Sequence, residues 1–250
     1  MTDLSINLNK IGLIRNSREG NYPDILEHAK ICIENGADGI TIHPRPDQRH
    51  IRPDDVRQLA KLIRSSAEIE LNVEGNPFAK AEQGYPGFME LVEETKPDQC
   101  TLVPDSNDQL TSDHGFDIKS YANDLAPIIS RLKNLDVRVS LFMDPDIEQI
   151  KLAAELGIDR IELYTGPYAA AWGSESLEPI FLCHQRASSL CKSLGIGVNA
   201  GHDLNLKNLH RFASIENLLE VSIGHAFIVD SISIGMASAV KAYKKLLNQG

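Results

Sequence analysis

Glu34-Asn35-Gly36-Ala37-Asp38-Gly39-Ile40 has an echo in Glu155-Leu156-Gly157-Ile158-Asp159-Arg160-Ile161, and a looser one in Ser193-Leu194-Gly195-Ile196-Gly197-Val198. In each copy a glycine follows a helix-period segment and precedes a β-rich run. A left-handed residue there lets the chain turn from helix into strand. Working outward, β-rich runs at residues 4–9, 39–43, 69–74, 99–103, 137–142, 160–164, 197–199 and 220–224 alternate with helical patterns. Pro53 stands where a first helical turn accepts it, and Val56, Leu59, Ala60 and Ile63 follow at helical spacing. Asp146 is placed to cap a helix on which Ile147, Ile150 and Ala154 share a face, and a last helix spans residues 237–247. Strand, helix, strand repeated in this way implies parallel pairing with right-handed crossovers. Eight such units in 250 residues predict an α/β fold: one closed (β/α)8 TIM barrel domain over residues 1–250, with room for short extra helices in its loops. No GxGxxG follows the first strand and no GxxxxGK[ST] occurs, so no nucleotide fingerprint favours an open doubly wound sheet.

Composition narrows the function classes. Hydrophobic residues make up 42% and charged residues 24%, the ordinary mix of a soluble globular protein. With 25 Lys plus Arg against 35 Asp plus Glu, the net charge of −10 argues against a broad grip on nucleic acid or anionic membrane. Cys32, Cys100, Cys183 and Cys191 form no CxxC pair and no zinc spacing, and read as packed, reduced thiols of a cytoplasmic protein. Met1-Thr2-Asp3-Leu4 offers no basic region leading into an apolar one. No apolar run approaches the roughly 20 residues that span a bilayer.

In such a barrel the active site forms from the C-terminal ends of the strands and the loops after them. Those exits carry Asn7, Asn9 and Lys10, with Arg15 and Arg18 in the expected loop, then His43 and Arg45 with Arg49 and His50 close behind. Further exits carry Asn72 and Glu74, Glu162 and Thr165, Gly201-His202-Asp203, and Gly224-His225. A single His or Glu at a strand end is often structural, but convergence of so many on one rim points to chemistry. Asp144 and Asp146 are explained by capping. Residues 168–176, with Trp172, read as a loop cover, and residues 77–86 as a loop insertion. Lys10, Arg18 and Arg45 suit anions, as do backbone N–H groups at the Gly201 and Gly224 turns. His43, Glu74, Glu162 and His202 are able to move protons near neutral pH. Phosphate grips plus acid/base groups imply multi-step proton transfer on a phosphorylated small molecule.

At these residues the chain resembles the pyridoxine 5'-phosphate synthase family, along essentially its whole length. The resemblance is carried by Ile6-Asn7-Leu8-Asn9, Arg15-Asn16-Ser17-Arg18, Asp38-Gly39-Ile40-Thr41-Ile42-His43, Thr95-Lys96-Pro97, Leu102-Val103-Pro104, Val139-Ser140-Leu141-Phe142, Ile161-Glu162-Leu163, Val198-Asn199-Ala200-Gly201-His202 and Ile223-Gly224-His225-Ala226. It implies a condensing transferase of vitamin B6 biosynthesis that joins 3-amino-2-oxopropyl phosphate to 1-deoxy-D-xylulose 5-phosphate, with no cofactor and no metal. It further implies His43 and Glu74 as proton acceptors, His202 as proton donor and Glu162 as transition-state stabiliser. Asn7, Arg18, Gly201, Gly224 and His225 would hold the aminoketone phosphate, and Asn9, Lys10, Arg45, His50 and Thr111 the deoxyxylulose phosphate. A homo-oligomer, an octamer built from dimers, belongs to the same implication. Two departures stand out. The family pattern reads Asn-Ile-Asp-His where this chain has Asn9 and Lys10 in the last two places, and the His43–Glu74 spacing is longer, so Glu70 competes with Glu74 as base. Glu74 is preferred because it ends its strand.

Two other readings stay open on the residues alone. His43, Glu74, Glu162 and His202 offer nitrogen and oxygen ligands for a metal-dependent sugar-phosphate isomerase or epimerase, although no HxH or ExxH spacing supports it. The altered Asn9-Lys10 pair motivates a catalytically silent barrel that binds a phosphorylated ligand, although four proton-transfer groups on one rim argue against it.

Overall fold

The computed structural model describes residues 2–65, 68–106 and 108–248; Met1 and the last two residues of the expected 1–250 domain lie outside them. Eight parallel strands close into a barrel in chain order: β1 (Asp3–Asn7), β2 (Gly39–Ile42), β3 (Glu70–Gly75), β4 (Gln99–Leu102), β5 (Arg138–Met143), β6 (Arg160–Tyr164), β7 (Gly197–Gly201) and β8 (Leu218–Ile223). The helices are α1 (Asn9–Asn16), α2 (Ile25–Glu34), α3 (Pro53–Ile63), α4 (Phe88–Thr95), α5 (Ile118–Lys133), α6 (Ile147–Glu155), α7 (Gly166–Ala170), α8 (Leu177–Leu194), α9 (Leu209–Phe212), α10 (His225–Ile234) and α11 (Met236–Leu247). The predicted TIM barrel is therefore the observed one, and α1, α7 and α9 are its short additions.

Strand alternation sorts the side chains into two layers. Ile6, Ile40, Val73, Leu102, Leu141, Leu163 and Ile223 are buried in the apolar layer beneath the helices. The alternate residues Ser5, Thr41, Asn72, Thr101, Gln99 and Asn199 are buried and polar, and bond across the strands: Ser5 to Thr41 at 2.7 Å, Thr101 to Asn72 at 3.0 Å and Asn199 to Gln99 at 3.2 Å. The barrel centre is thus polar and hydrogen-bonded, where such barrels are usually filled by branched aliphatic side chains.

The sequence signals act as read. Pro53 opens α3 and its Val56, Leu59, Ala60 and Ile63 are buried. The Asp146 carboxylate accepts the Glu148 and Gln149 N–H groups and caps α6. Gly36, Gly157 and Gly195 take φ of +104°, +72° and +74° at the repeated helix-to-strand turn.

Four details differ from the sequence reading. The first strand stops at Asn7 instead of running to residue 9, because the Asn7 Oδ1 accepts the Asn9 N–H at 3.0 Å and turns the chain into α1. Arg15, expected in a loop, is fully buried on α1 and grips Asp55 of α3 through two bonds of 2.6 and 2.8 Å. Tyr168 is buried against Phe212 and His184, with Trp172 edge-on to it, so this stretch packs onto the helical shell rather than covering the site. Cys183 is exposed, whereas the other three cysteines are buried.

Candidate active site

The strand exits surround one cavity of about 330 Å³. It is lined by twelve of the fourteen residues picked out from the sequence: Asn7, Asn9, Lys10, His43, Arg45, His50, Glu74, Thr111, Glu162, His202, Gly224 and His225. Gly201 and Arg18 are the two that do not line it. Gly201 lies behind the Glu162 carboxylate, and any Cβ there would collide with it, so its role is to leave that side chain room. Arg18 is exposed and donates to the Ser17 carbonyl. Glu70, the competing base, sits at the opposite end of β3 and is ion-paired with Arg138. Glu74 is the carboxylate at the cavity.

His43 leaves β2 into this cavity. Its Nδ1 faces the Glu74 Oε2 at 3.9 Å and its Nε2 faces the Asp105 Oδ2 at 3.4 Å. Its backbone N–H is held by the Asn9 Oδ1 at 2.9 Å, so the amide oxygen at position 9 accepts as a carboxylate would. Burial, then the Arg45 and Arg49 charges, push His43 down to about 3, which keeps the imidazole neutral. His50 is pushed down to about 2 by burial and by His43.

The carboxylates move the other way. Burial, then repulsion from Glu162, raises Glu74 well above the ordinary carboxylate range. Burial, then Glu220, raises Glu162 to about 8. Its Oε2 is buried with no hydrogen-bond partner among the described residues. Glu74 is steadied by Asn7 and Asn72, each at 3.4 Å. Both buried carboxyl groups are thereby biased toward the protonated form at neutral pH.

Across the cavity, the His202 Nε2 meets the Thr111 Oγ1 at 3.0 Å and its Nδ1 meets the Asp203 Oδ2 at 2.8 Å. Gly224 and His225 open the ten-residue helix α10, whose N-terminal N–H groups favour an anion.

This chain matches the family described as "Pyridoxal phosphate biosynthesis protein PdxJ" over residues 4–249. It belongs to that family. A pyridoxine 5'-phosphate synthase of Xanthomonas axonopodis pv. citri is 50% identical over 250 residues, covering 100% of this chain and 98% of that one. One from Xylella fastidiosa is 46% identical over 248 residues, covering 99% and 95%. The thiamine phosphate pyrophosphorylase of Pyrococcus furiosus shares the barrel fold, with a TM-score of 0.59 at 13% identity over 99% of this chain and 96% of its own.

Sequence reasoning passed over one residue of this family member's site. Asp105 is buried beside His43, ion-paired with Arg45 and bonded by the Ser112 hydroxyl at 3.1 Å. It follows the Val103-Pro104 exit of β4, so the strand-exit rule applied to the fourth strand would have found it. Arg45 and Arg49 also bond the Gln109 carbonyl, at 3.1 and 2.8 Å, and tie the segment after β4 to the cavity rim. Among the described residues no group of three or more His, Cys, Asp or Glu side chains is spaced to hold a metal ion.

Proposed function

We propose that this chain is a pyridoxine 5'-phosphate synthase, condensing 3-amino-2-oxopropyl phosphate with 1-deoxy-D-xylulose 5-phosphate to pyridoxine 5'-phosphate, phosphate and water in vitamin B6 biosynthesis. The observation that carries this reading is the convergence of His43, Glu74, Glu162 and His202 on one cavity in a PdxJ family member. The substrate amine adds to the ketone of the second substrate, so the imine forms between substrates and needs no lysine nucleophile. His43 is neutral and so has a ring nitrogen lone pair with which to accept a proton. Glu74 is the second acceptor in its ionised form, and Glu162, raised to about 8, keeps a proton to share with developing negative charge. His202, at the cavity mouth, donates the proton that dehydration and ring closure require.

In this reading Lys10, Arg45, His50, Thr111 and Asn9 hold the deoxyxylulose phosphate, and Asn7, Gly224 and His225 the aminoketone phosphate; all eight line the cavity. Holding both turns a bimolecular condensation into a positioned one. Arg18, outside the cavity lining, is left out of this assignment. The same reading includes a cytoplasmic place, supported by four free thiols. Self-association is part of it too, supported by exposed Leu13 and Ile14 on α1 and Val229 and Ile232 on the adjacent α10, and sedimentation velocity reads it directly.

The decisive experiment incubates EDTA-treated protein with both phosphorylated substrates and detects pyridoxine 5'-phosphate by mass. Product is expected without added metal. Folded protein that binds a sugar phosphate yet forms no product would overturn the reading, and turnover that returns only with a divalent metal would favour an isomerase-type barrel.

A further inference from the structure

His202 and Asp203 leave β7 with φ of +86° and +60°. Two successive left-handed residues that are not glycine are uncommon, and Asp is among the few that adopt this backbone readily. The turn brings both side chains to the cavity, where three contacts fix the imidazole and a fourth its backbone. Its Nδ1 lies 2.8 Å from the Asp203 Oδ2, its Nε2 lies 3.0 Å from the Thr111 Oγ1, and its ring stands edge-on to Tyr164 with centroids 5.2 Å apart. The Thr165 hydroxyl donates to its backbone carbonyl. A carboxylate only accepts, so the hydrogen of this pair sits on Nδ1, and Nε2 is left as the nitrogen at which a proton arrives and departs.

We propose that Asp203 is a positioning residue for the reaction: it sets the Nδ1–H form of His202 and aims Nε2, the proton-donating nitrogen, into the cavity. This rests on the reading of His202 as the proton donor. The charged and titratable groups around the pair are Lys10 from α1 and His225 from α10, which face Asp203, and Tyr164 from β6, with Asp113 and Asp144 beyond it. The bond from His202 holds the Asp203 carboxyl below its ordinary range, against the opposing effect of burial.

The test pairs Asp203→Asn, which keeps shape and backbone tolerance but loses the charge, with Asp203→Gly, which removes the acceptor without backbone strain. Nitrogen-15 shifts of His202 in substrate-free protein should place the hydrogen on Nδ1 in the native chain and shift toward Nε2–H in the glycine variant. Both variants should lose about 10- to 100-fold in kcat, with KM for each substrate within about 2-fold. The alkaline limb of kcat should move to lower pH, because the imidazolium loses its counter-charge. An Nε2–H form in the native chain, a loss confined to KM, or an unchanged kcat and alkaline limb in both variants would overturn the proposal. A native chain that makes no pyridoxine 5'-phosphate sinks the functional reading instead, while the nitrogen shifts still decide the His202–Asp203 contact.

Discussion

At the scale of single residues, one cavity sets its acids and its base apart by environment. His43 is desolvated beside two guanidinium groups and is neutral, whereas Glu162 is desolvated beside Glu74 and Glu220 and keeps its proton. Glu162→Gln retains the volume and the neutral charge but cannot give up a proton. It should fold normally and lower kcat by roughly 10²- to 10⁴-fold, the usual share of acid/base catalysis, in a product-formation assay. Asn9→Asp tests the departure from the family pattern. The carboxylate can still accept the His43 N–H, so the fold should hold, while the added charge raises His43 from its value of about 3. Because His43 must be neutral to accept a proton, the acid limb of kcat/KM should move to higher pH. A limb that stays in place would remove His43 from the acceptor role.

At the scale of elements, α1 is the piece that joins the site to the shell. Arg15 is fully buried and reaches both Asp55 on α3 and the His50 carbonyl, at 2.9 Å, just before α3 begins. Gly12 allows this approach, since a Cβ there would come within 2.6 Å of the His50 carbonyl oxygen. Arg15→Ala empties a fully buried position on α1 and leaves the half-buried Asp55 carboxylate only the Arg52 N–H, so it should destabilise the fold by about 3 kcal/mol in urea unfolding. Arg15→Met with Asp55→Leu should recover most of that loss, because packing replaces an ion pair at little net cost. At α6, Asp146→Ala removes an N-cap that accepts two N–H groups and should cost about 1 kcal/mol by the same measurement.

At the scale of the whole molecule, the polar barrel centre links catalysis to stability. Glu162 and Glu220, ordinarily near 4.5, are raised to about 8 and about 7, burial being the first cause for both. Between those values and 4.5 the folded chain binds more protons than the unfolded one, so stability falls as pH rises. His43 and His50, depressed from 6.5, act in the opposite sense, with an effect that is halved at 6.5 and fades above it. From pH 6.5 to 8 the carboxyl groups outweigh that fading effect, and the thermal midpoint should fall across that window. Each buried carboxyl contributes at most about 1.4 kcal/mol per pH unit. Glu162→Gln should flatten the fall, so the variant should be the more stable protein at pH 8 and the less active one. A midpoint that rises from pH 6.5 to 8 would show that these groups are not protonated in the folded chain.

The sequence by itself determined the barrel. A glycine turn repeated at one junction, Pro53 and Asp146 at helix starts, and β-rich runs at even spacing are local signals, each acting through neighbours in the chain. The strand-exit rule then carried eleven of the fourteen site residues to one cavity, because it depends only on topology, and the family resemblance added Thr111. Only the tertiary structure decided the rest. The Asn9 Oδ1 meets the His43 N–H thirty-four positions away, and Arg15 is a core residue rather than a rim residue because Asp55, forty positions away, is there to meet it. Asp105 against His43, and Asp203 against His202 with Thr111 opposite, depend on loops that meet only after the barrel has closed. The protonation states follow from burial and neighbours, which composition and spacing do not encode: the same Glu is held below its ordinary range at residue 70, by the bond from Arg138, and raised at residue 162.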